Sequence, residues 1–273
     1  MNPYIQLMRY RNCIMSSVAV AIGALVASGR SFPSHILSAV IAMVVVFLFT
    51  GAGNTLNDVL DVDIDRRVHQ ERPIPSGKVS LKASSIFASS LFAAAVLLSI
   101  PLGLYPLTVV LVSLAVMLLY EFSLKSKGLP GNLSIAWLTA SLFLFGAISV
   151  GNVLSIWAFF LTSFLATAGR EIMKDIEDVE GDRGRRRTLP MIIGNKGAMA
   201  AASISIAGAI AISPFPYLLH QFKLPYLITV LVADAIFVRA ALIQRKDETV
   251  AQTTSKVAMY VAILAFLVGA VSA

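Results

Sequence analysis

The chain alternates between long apolar stretches and short charged segments. Nine apolar stretches of about 17–22 residues each have the length that an α-helix needs to cross a bilayer. They lie near residues 12–29, 35–53, 84–100, 104–120, 132–149, 153–171, 197–219, 224–242 and 254–272. The two shortest separations, near Pro101–Pro106 and Gly151–Leu154, carry the Gly, Pro or Asn residues that are typical of turns. The pattern predicts an all-α, polytopic membrane bundle of nine transmembrane helices.

Composition supports a single membrane domain over residues 1–273. Hydrophobic residues make up 57% of the 273 residues, more apolar surface than a soluble domain of this size can bury. The N-terminus lacks a small-residue cleavage site after its first apolar stretch, so we expect that stretch to remain as a helix. The single cysteine, Cys13, excludes an intrachain disulfide and a cysteine metal cluster, and we expect it to be a small buried residue. No nucleic-acid motif accompanies the net charge of +7.

Basic residues indicate the orientation in the membrane. With nine spans, 20 of the 22 Lys and Arg residues fall on one side, and only Arg30 and Lys223 fall on the other. Cytoplasmic loops carry the excess of Lys and Arg. We therefore expect a cytoplasmic N-terminus, cytoplasmic loops at about 54–83, 121–131 and 171–196, and a C-terminus outside. The acidic residues, apart from Asp234, also cluster on the predicted cytoplasmic side.

The most acidic segment follows the second apolar stretch. Asn54–Lys78 reads NTLNDVLDVDIDRRVHQERPIPSGK and has four aspartates within eight residues. Asn57, Asp61 and Asp65 are spaced i, i+4, i+8, which places them on one face of a helix. Such a stack repels itself unless a cation binds it, and a hard divalent cation with a phosphate-bearing ligand suits oxygen donors. The alternative is a solvated, acidic helix end.

A second acidic segment follows the sixth stretch. Arg170–Pro190 reads REIMKDIEDVEGDRGRRRTLP, in which Asp178 and Asp182 are i, i+4 and Asp175 lies one turn earlier. Asp182 follows Asp65 by 117 residues, with four stretches between the two segments. This spacing predicts a tandem repeat of four helices plus a ninth. Both acidic clusters would then have the same orientation and face one central cavity.

Three chemistries use paired carboxylates. General acid–base catalysis needs only two groups in unlike environments. A metal-ion transporter would place ionisable groups deep in several spans, whereas only Asp234 lies inside one. The third, metal-assisted diphosphate binding, fits best. Carboxylates bind two Mg²⁺ ions, and the ions bind a diphosphate whose remaining charge neighbouring Arg and Lys neutralise. An apolar bundle then shelters the carbocation left after an allylic diphosphate departs.

The acidic segments also resemble those of a known family. NDVLDVDID resembles the NDxxDxxxD motif of the UbiA superfamily of intramembrane prenyltransferases, and Arg170–Pro190 resembles its second aspartate-rich motif. RPIPSG (Arg72–Gly77) and the nine-span layout also match, so the resemblance covers essentially the whole chain. It implies Mg²⁺ ligation by Asn57, Asp61, Asp65, Asp175, Asp178 and Asp182. The catalytic aspartates would be Asp61, Asp65, Asp178 and Asp182, with Asp58 as a close support.

The resemblance extends to the basic residues. Arg9-x-x-Asn12 is similar to the family's R-x-x-N pattern, and Tyr120 with Lys125 is similar to its tyrosine–lysine pair after span four. The Tyr–Lys spacing is irregular here, which leaves open whether Lys125 or Lys127 reaches the diphosphate. The expected diphosphate and phosphate contacts are Arg9, Arg66, Arg67, Arg72, Lys125, Arg186 and Arg187. Asn12, Asp58 and Tyr120 are expected to contact substrate elsewhere.

Within the superfamily, the second motif is most similar to archaeal enzymes of ether-lipid synthesis. The resemblance implies transfer of a geranylgeranyl group from its diphosphate to the hydroxyl of geranylgeranylglyceryl phosphate. The arginine-rich run at residues 183–187 suits two anionic substrates better than one. An aromatic prenyltransferase of quinone or pigment synthesis is the alternative within the same class, and a metal-ion transporter is the alternative outside it. The expected partners are the isoprenyl diphosphate, the prenylated glyceryl phosphate and membrane lipid.

Overall fold

The computed structural model describes residues 1–151, 156–182 and 187–272, and in this part of the chain regular structure is entirely helical. Thirteen α-helices occur there. They are α1 (Pro3–Met8), α2 (Tyr10–Ser28), α3 (Ile36–Leu60), α4 (Val62–Val68), α5 (Leu81–Ser99), α6 (Leu104–Leu119), α7 (Leu129–Ser149), α8 (Trp157–Glu177), α9 (Val179–Asp182), α10 (Leu189–Ile212), α11 (Phe215–Leu218), α12 (Leu224–Ile243) and α13 (Glu248–Ser272).

Each of the nine predicted stretches overlaps a long helix: α2, α3, α5, α6, α7, α8, α10, α12 and α13. Residues 152–155, which include most of the predicted turn near Gly151–Leu154 and the start of the sixth stretch, lie outside the described residues. The main differences are at the polar ends. α3 continues to Leu60 and α8 to Glu177, so the first half of each acidic motif is helical rather than part of a loop. α10 begins at Leu189 because a short helical segment joins it across Gly194, whose φ of 76° breaks the regular helix.

Seven segments of the described chain are long and apolar enough to cross a membrane. The first, Tyr10–Leu60, contains both α2 and α3. α8 is the long helix that lies outside these segments. Its last turns carry five charged side chains, Arg170, Glu171, Lys174, Asp175 and Glu177. The chain is therefore a multi-pass membrane protein with an all-α fold.

Helix packing in the second half repeats that in the first. α2 packs on α3, α3 on α5 and α5 on α6; likewise α7 packs on α8, α8 on α10 and α10 on α12. α2 and α7 join the halves, and α13 packs against α12, α8 and α2. α3, α6, α8 and α12 all end at one end of the bundle, which carries both acidic motifs and is called the acidic end below.

The α2–α7 contact brings two backbones together. A Cβ on Gly23 would lie 2.2 Å from the carbonyl oxygen of Phe143, and a Cβ on Gly146 would lie 2.1 Å from that of Val20. No side chain fits at either position. Small residues that allow such close approach are typical of helix contacts in membranes, where there is no hydrophobic driving force between helices.

Candidate functional site

The first acidic motif lies where α3 ends. α3 stops at Leu60, and Asp61 separates it from α4 with φ −88° and ψ 7°. Backbone hydrogen bonds nevertheless continue through the motif, because the Asp61 N–H donates to the Asn57 carbonyl at 2.9 Å and the Asp65 N–H donates to the Asp61 carbonyl at 2.9 Å. The three residues keep helical spacing, but their side chains belong to two separate polar groups.

The first group consists of Arg9, Asp58, Asp65 and Arg72. Arg9 Nη2 donates to Asp58 Oδ1 at 2.5 Å, and Arg72 Nη1 donates to Asp65 Oδ2 at 2.7 Å and lies 3.6 Å from Asp58 Oδ1. Both aspartates are buried, and charges removed from water in this way require such partners. Arg9 occupies the left-handed region, at φ 50° and ψ 59°, in the sharp turn between α1 and α2. That conformation costs a non-glycine residue about 1–2 kcal/mol.

The turn that carries Arg72 packs closely against the first group. Ile74 and Val79, from the RPIPSG segment and the residues after it, pack with Leu7 of α1 and Val62 of α4. Gly77, at φ 73°, allows the chain to reverse there. The RPIPSG turn and the residues after it therefore lie against the motif through a small apolar cluster.

The second group consists of Asn57, Asp61, Glu121 and Lys125. Lys125 Nζ donates to Asp61 Oδ2 at 2.6 Å and to Glu121 Oε2 at 3.3 Å. Asn57 Nδ2 lies 3.1 Å and 3.2 Å from the two Glu121 oxygens. This group joins the end of α3 to the end of α6.

A π-helical turn accounts for the irregular Tyr–Lys spacing. Residues Tyr120–Leu124 form it, and the Lys125 N–H donates to the Tyr120 carbonyl five residues earlier, at 2.9 Å. The wider turn accommodates one extra residue and directs Lys125 toward Asp61. Lys127 is exposed and bonds Ser123 Oγ at 2.9 Å instead.

The second acidic motif is placed by α7 and α8. Asp175 accepts a 2.8 Å hydrogen bond from Asn132 Nδ2 at the start of α7, whereas Asp178 follows the end of α8 and is exposed. Asp182 ends α9, and its side chain lies outside the described part of the structure. No group of three or more Asp, Glu, His or Cys residues placed to hold a metal occurs among the described residues.

The remaining predicted cations lie farther from these groups or outside the description. Arg66 pairs with the exposed Asp63 at 3.1 Å, and Arg67 is exposed on the same helix, α4. Arg187 is exposed, with its N–H bonded to the Ser126 carbonyl at 2.9 Å. Arg186 lies outside the described residues. The structure thus brings Arg9, Arg72 and Lys125 into the two buried polar groups of the first motif. Arg66 instead contacts only the exposed Asp63 of that motif among the described residues, and Arg67 is exposed beside it.

An apolar cavity of about 400 Å³ extends from the first motif into the bundle between α2, α3, α6 and α7. Asn54, Thr50 and Val46 line it at successive turns of α3 below Asn57. Asn12 also lines it, and its N–H donates to the Arg9 carbonyl at 2.7 Å. Its deeper wall is apolar, including Val110, Leu142 and Phe145. The site therefore joins a polar, charged mouth to an apolar chamber.

Two residues of the site were not predicted from the sequence. Glu121 was expected only as a charge on the predicted cytoplasmic side, yet its side chain is 4% exposed and central to the second group. Asn132 was not predicted as a site residue, because a lone amide at a helix start is common and carries no distinctive sequence pattern. The signal for Glu121 was its position between Tyr120 and Lys125 in a segment of irregular spacing, but the π turn is visible only in three dimensions.

Comparison with known proteins identifies the family. The model of the UbiA prenyltransferase family matches residues 16–269. The chain is 40% identical over 282 residues to digeranylgeranylglyceryl phosphate synthase of Methanosarcina mazei, covering 97% of each chain. It is 35% identical over 274 residues to the protein of that name in Methanocaldococcus jannaschii, covering 98% of this chain and 96% of the relative.

Solved structures agree. A structure described as that of digeranylgeranylglyceryl phosphate synthase in membranes is 35% identical, with a TM-score of 0.90 over 99% of this chain and 98% of the other. A UbiA homologue from Archaeoglobus fulgidus, bound to geranyl diphosphate (GPP) and Mg²⁺, has a TM-score of 0.74 over 99% of this chain and 100% of that one. It shares the fold at 15% identity. The chain belongs to the UbiA prenyltransferase family.

Proposed function

We propose that this chain is an Mg²⁺-dependent digeranylgeranylglyceryl phosphate synthase. It transfers the geranylgeranyl group of geranylgeranyl diphosphate to the free hydroxyl of geranylgeranylglyceryl phosphate. The observation that carries the proposal is the first motif at the mouth of an apolar cavity, in a chain 35–40% identical over nearly its full length to relatives of that name.

The residues at the mouth fit Mg²⁺. All the donors are oxygens, the atoms that Mg²⁺ prefers, and the motif supplies them from Asn57, Asp61 and Asp65. No described residue donates to Asn57 Oδ1, which leaves this atom available as a ligand. Asp175, Asp178 and Asp182 of the second motif would complete the set of ligands for two ions. Bound Mg²⁺ neutralises the charge that develops on the departing diphosphate.

The protein's own cations would hold the diphosphate. Lys125, Arg72 and Arg9 already lie on the motif carboxylates, so a diphosphate entering with its metal exchanges one set of ion pairs for another. The exposed Arg66, Arg67 and Arg187 are proposed to attract the two anionic substrates. Arg186, which lies outside the described residues, is proposed to act with them. Tyr120, the first residue of the π turn, is proposed to contact the donor.

The reaction then breaks one bond and forms one. The C1–O bond of geranylgeranyl diphosphate breaks, diphosphate leaves with the electron pair, and the acceptor hydroxyl oxygen forms an ether bond to C1. The hydroxyl proton passes to a carboxylate of the site or to the released diphosphate. The apolar cavity below Asn54 holds the isoprenoid chain and excludes water from the allylic cation.

We also infer nine spans built as a tandem four-helix repeat plus α13. The contacts between α2 and α7 are reciprocal, and Gly146 follows Gly23 by 123 residues, as Phe143 follows Val20. The 20-to-2 distribution of basic residues favours a cytoplasmic acidic end and an external C-terminus.

The test is an acceptor assay. Purified full-length protein receives labelled geranylgeranyl diphosphate and Mg²⁺ with geranylgeranylglyceryl phosphate, 4-hydroxybenzoate or a dihydroxynaphthoate. The proposal expects a labelled diether product with the glyceryl phosphate alone, and loss of that product in excess chelator. Turnover of an aromatic acid instead, or full activity in chelator, would overturn it.

A further inference from the structure

Glu121 is an acidic residue of the site that neither acidic motif contains. It lies in the π-helical turn Tyr120–Leu124, and its side chain is 4% exposed. π turns occur frequently at functional sites, because they redirect side chains that a regular helix would place elsewhere. Burying a carboxylate is costly unless it is paired and hydrogen-bonded, so its contacts indicate what this one does.

The Glu121 carboxylate contacts two residues of the proposed diphosphate site. Both of its oxygens lie 3.1–3.2 Å from Asn57 Nδ2, and Oε2 also accepts from Lys125 Nζ at 3.3 Å. Lys125 in turn lies 2.6 Å from Asp61. One carboxylate therefore bridges a residue of α3 and a residue after α6.

The chemistry of the groups fixes the orientation of the Asn57 amide. A carboxylate paired with an ammonium accepts hydrogen bonds and donates none, so the amide must present its NH₂ side to Glu121. Its carbonyl oxygen, Oδ1, then points away from Glu121. Without this contact, an amide is free to rotate by 180° and present nitrogen, which carries no lone pair available for Mg²⁺.

We propose that Glu121 is a positioning residue, which orients Asn57 so that Oδ1 faces Mg²⁺ and holds Lys125 beside Asp61. The proposal rests on the proposed function, since it assigns a role within the same site. Residues that orient metal ligands in this way typically change metal affinity by about 10–100-fold when they are replaced.

A mutant cycle tests the orientation. In Glu121→Gln, the new amide can donate to Asn57 and turn its NH₂ side toward the metal, so we expect Mg²⁺ affinity to fall about tenfold or more. In Asn57→Asp, two carboxylates face each other and repel, which should also weaken the site. In the double variant the new carboxylate accepts from the new amide and still presents an oxygen to the metal. We therefore expect the double variant to bind within about threefold of wild type, reversing most of the loss.

The readout is metal binding rather than turnover alone. Mn²⁺ replaces Mg²⁺ and is titrated by electron paramagnetic resonance in the presence of a non-reactive geranylgeranyl thiolodiphosphate. Activity assays then give the Mg²⁺ concentration for half-maximal rate, and thermal unfolding identifies any variant that is misfolded. Glu121→Asp keeps an acceptor-only group and provides a second test if Glu121→Gln does not fold. Its affinity should lie between those of wild type and Glu121→Ala.

Three results would overturn the role of Glu121. Wild-type Mn²⁺ affinity in a folded Glu121→Gln is one. A double variant that binds no better than the weaker single variant is another. Affinity in Glu121→Asp no better than in Glu121→Ala is the third. Failure of the proposed function is distinguishable, because wild-type protein would then form no diether product in the acceptor assay.

Discussion

In the proposed tandem repeat, corresponding helices of the two halves enclose spaces of very different size. Between α2, α3, α6 and α7 lies the cavity of about 400 Å³, whereas between α7, α8, α12 and α13 the corresponding space is about 50 Å³. Val45 and Val46 of α3 line the first space, and Thr162 and Ser163, each 117 residues later, line the second. The same architecture is therefore open in one half and nearly filled in the other.

Aromatic rings make this difference. The ring centroid of Phe159 lies 4.0 Å from that of Phe143 and 3.7 Å from that of Phe266. The Phe159 and Phe266 rings are stacked, with an interplanar angle of 8°. All three rings are buried and border the second space. Aromatic side chains bury large areas and stabilise such a core strongly. We infer that the second half supplies rigidity and the first half supplies the chamber for the donor chain.

The polar ends differ in a related way. In the first half, Asp58 of α3 pairs with Arg9. In the second half, Asp175 of α8 accepts a hydrogen bond from Asn132. Asp175 follows Asp58 by 117 residues, and Asn132 follows Arg9 by 123 residues. An Arg–carboxylate contact in one half thus corresponds to an amide–carboxylate contact in the other. Guanidinium binds phosphate in a fork geometry, which an amide cannot reproduce. The half with the larger cavity therefore also has the side chain better suited to bind phosphate, Arg9, where the other half has Asn132.

The largest expected effect comes from the first motif. Asp61→Ala removes the carboxylate that Lys125 contacts and a proposed Mg²⁺ ligand, so kcat should fall by about 10²–10³-fold or more. Steady-state assays of diether formation measure it. The control is Asp63→Ala, on an exposed side chain paired with Arg66, which should stay within about twofold of wild type because such surface pairs contribute little. Similar losses in both variants would refute the proposed division of roles.

The filled half should respond mainly in stability. Phe159→Ala removes a ring that stacks on Phe266 and contacts the tilted ring of Phe143, and it should lower the free energy of unfolding by about 3–5 kcal/mol. Thermal or denaturant unfolding in detergent measures the loss, while activity per folded molecule should be retained. Phe122→Ala, at a side chain that is largely exposed, is the matched control. Unchanged stability in Phe159→Ala would contradict the structural role of the aromatic stack.

The contact between the halves should tolerate no added methyl group. Gly146→Ala places a Cβ 2.1 Å from the Val20 carbonyl oxygen, so we expect a loss of about 1–3 kcal/mol. Gly208→Ala is the matched control, because its Cβ would meet only the end of the Leu165 side chain at 3.2 Å. Unfolding of the two variants should therefore differ. Equal stability would show that α2 and α7 separate readily.

The smallest effect concerns chain length. Val46→Phe narrows the first cavity below the motif, so the kcat/KM ratio for geranylgeranyl over geranyl diphosphate should fall by about tenfold. The shorter donor chain does not extend as far past that position. Ser163→Phe, at the equivalent position of α8, should leave the ratio unchanged. A larger change of the ratio in Ser163→Phe than in Val46→Phe would show that the donor chain binds in the second space, contrary to the proposal.

Much of the fold was predictable, because long apolar stretches leave few alternatives to membrane helices. The nine long helices lie where the stretches predicted them. The apolar stretches alone did not predict the polar extensions, since hydropathy reports only the apolar part of a helix, although the i, i+4 spacing of the first motif favoured a helix there. The last turns of α3 and α8 continue through Asn57 and Asp175 on backbone hydrogen bonds that composition does not reveal.

The site was predictable in its residue types and less so in its partners. Spacing predicted Asn57, Asp61 and Asp65 on one face of a helix. Asn57 and Asp61 contact the Glu121–Lys125 pair, whereas Asp65 pairs with Arg72 in the other polar group. Which cation meets which carboxylate depends on how α1, α6 and the RPIPSG turn approach the end of α3. That approach depends on tertiary packing and on one π turn, neither of which has a periodic signature in the sequence.

We infer that the isoprenoid chain of the donor occupies the first cavity and not the second space between α7, α8, α12 and α13. A geranylgeranyl diphosphate analogue with a photoreactive group at the end of its chain tests this directly, when it is cross-linked in the presence of Mg²⁺ and mapped by mass spectrometry. We expect adducts on residues that line the first cavity, such as Val46, Val110 and Leu142. Adducts concentrated on Phe237 and Ile263, which border the second space, would contradict it.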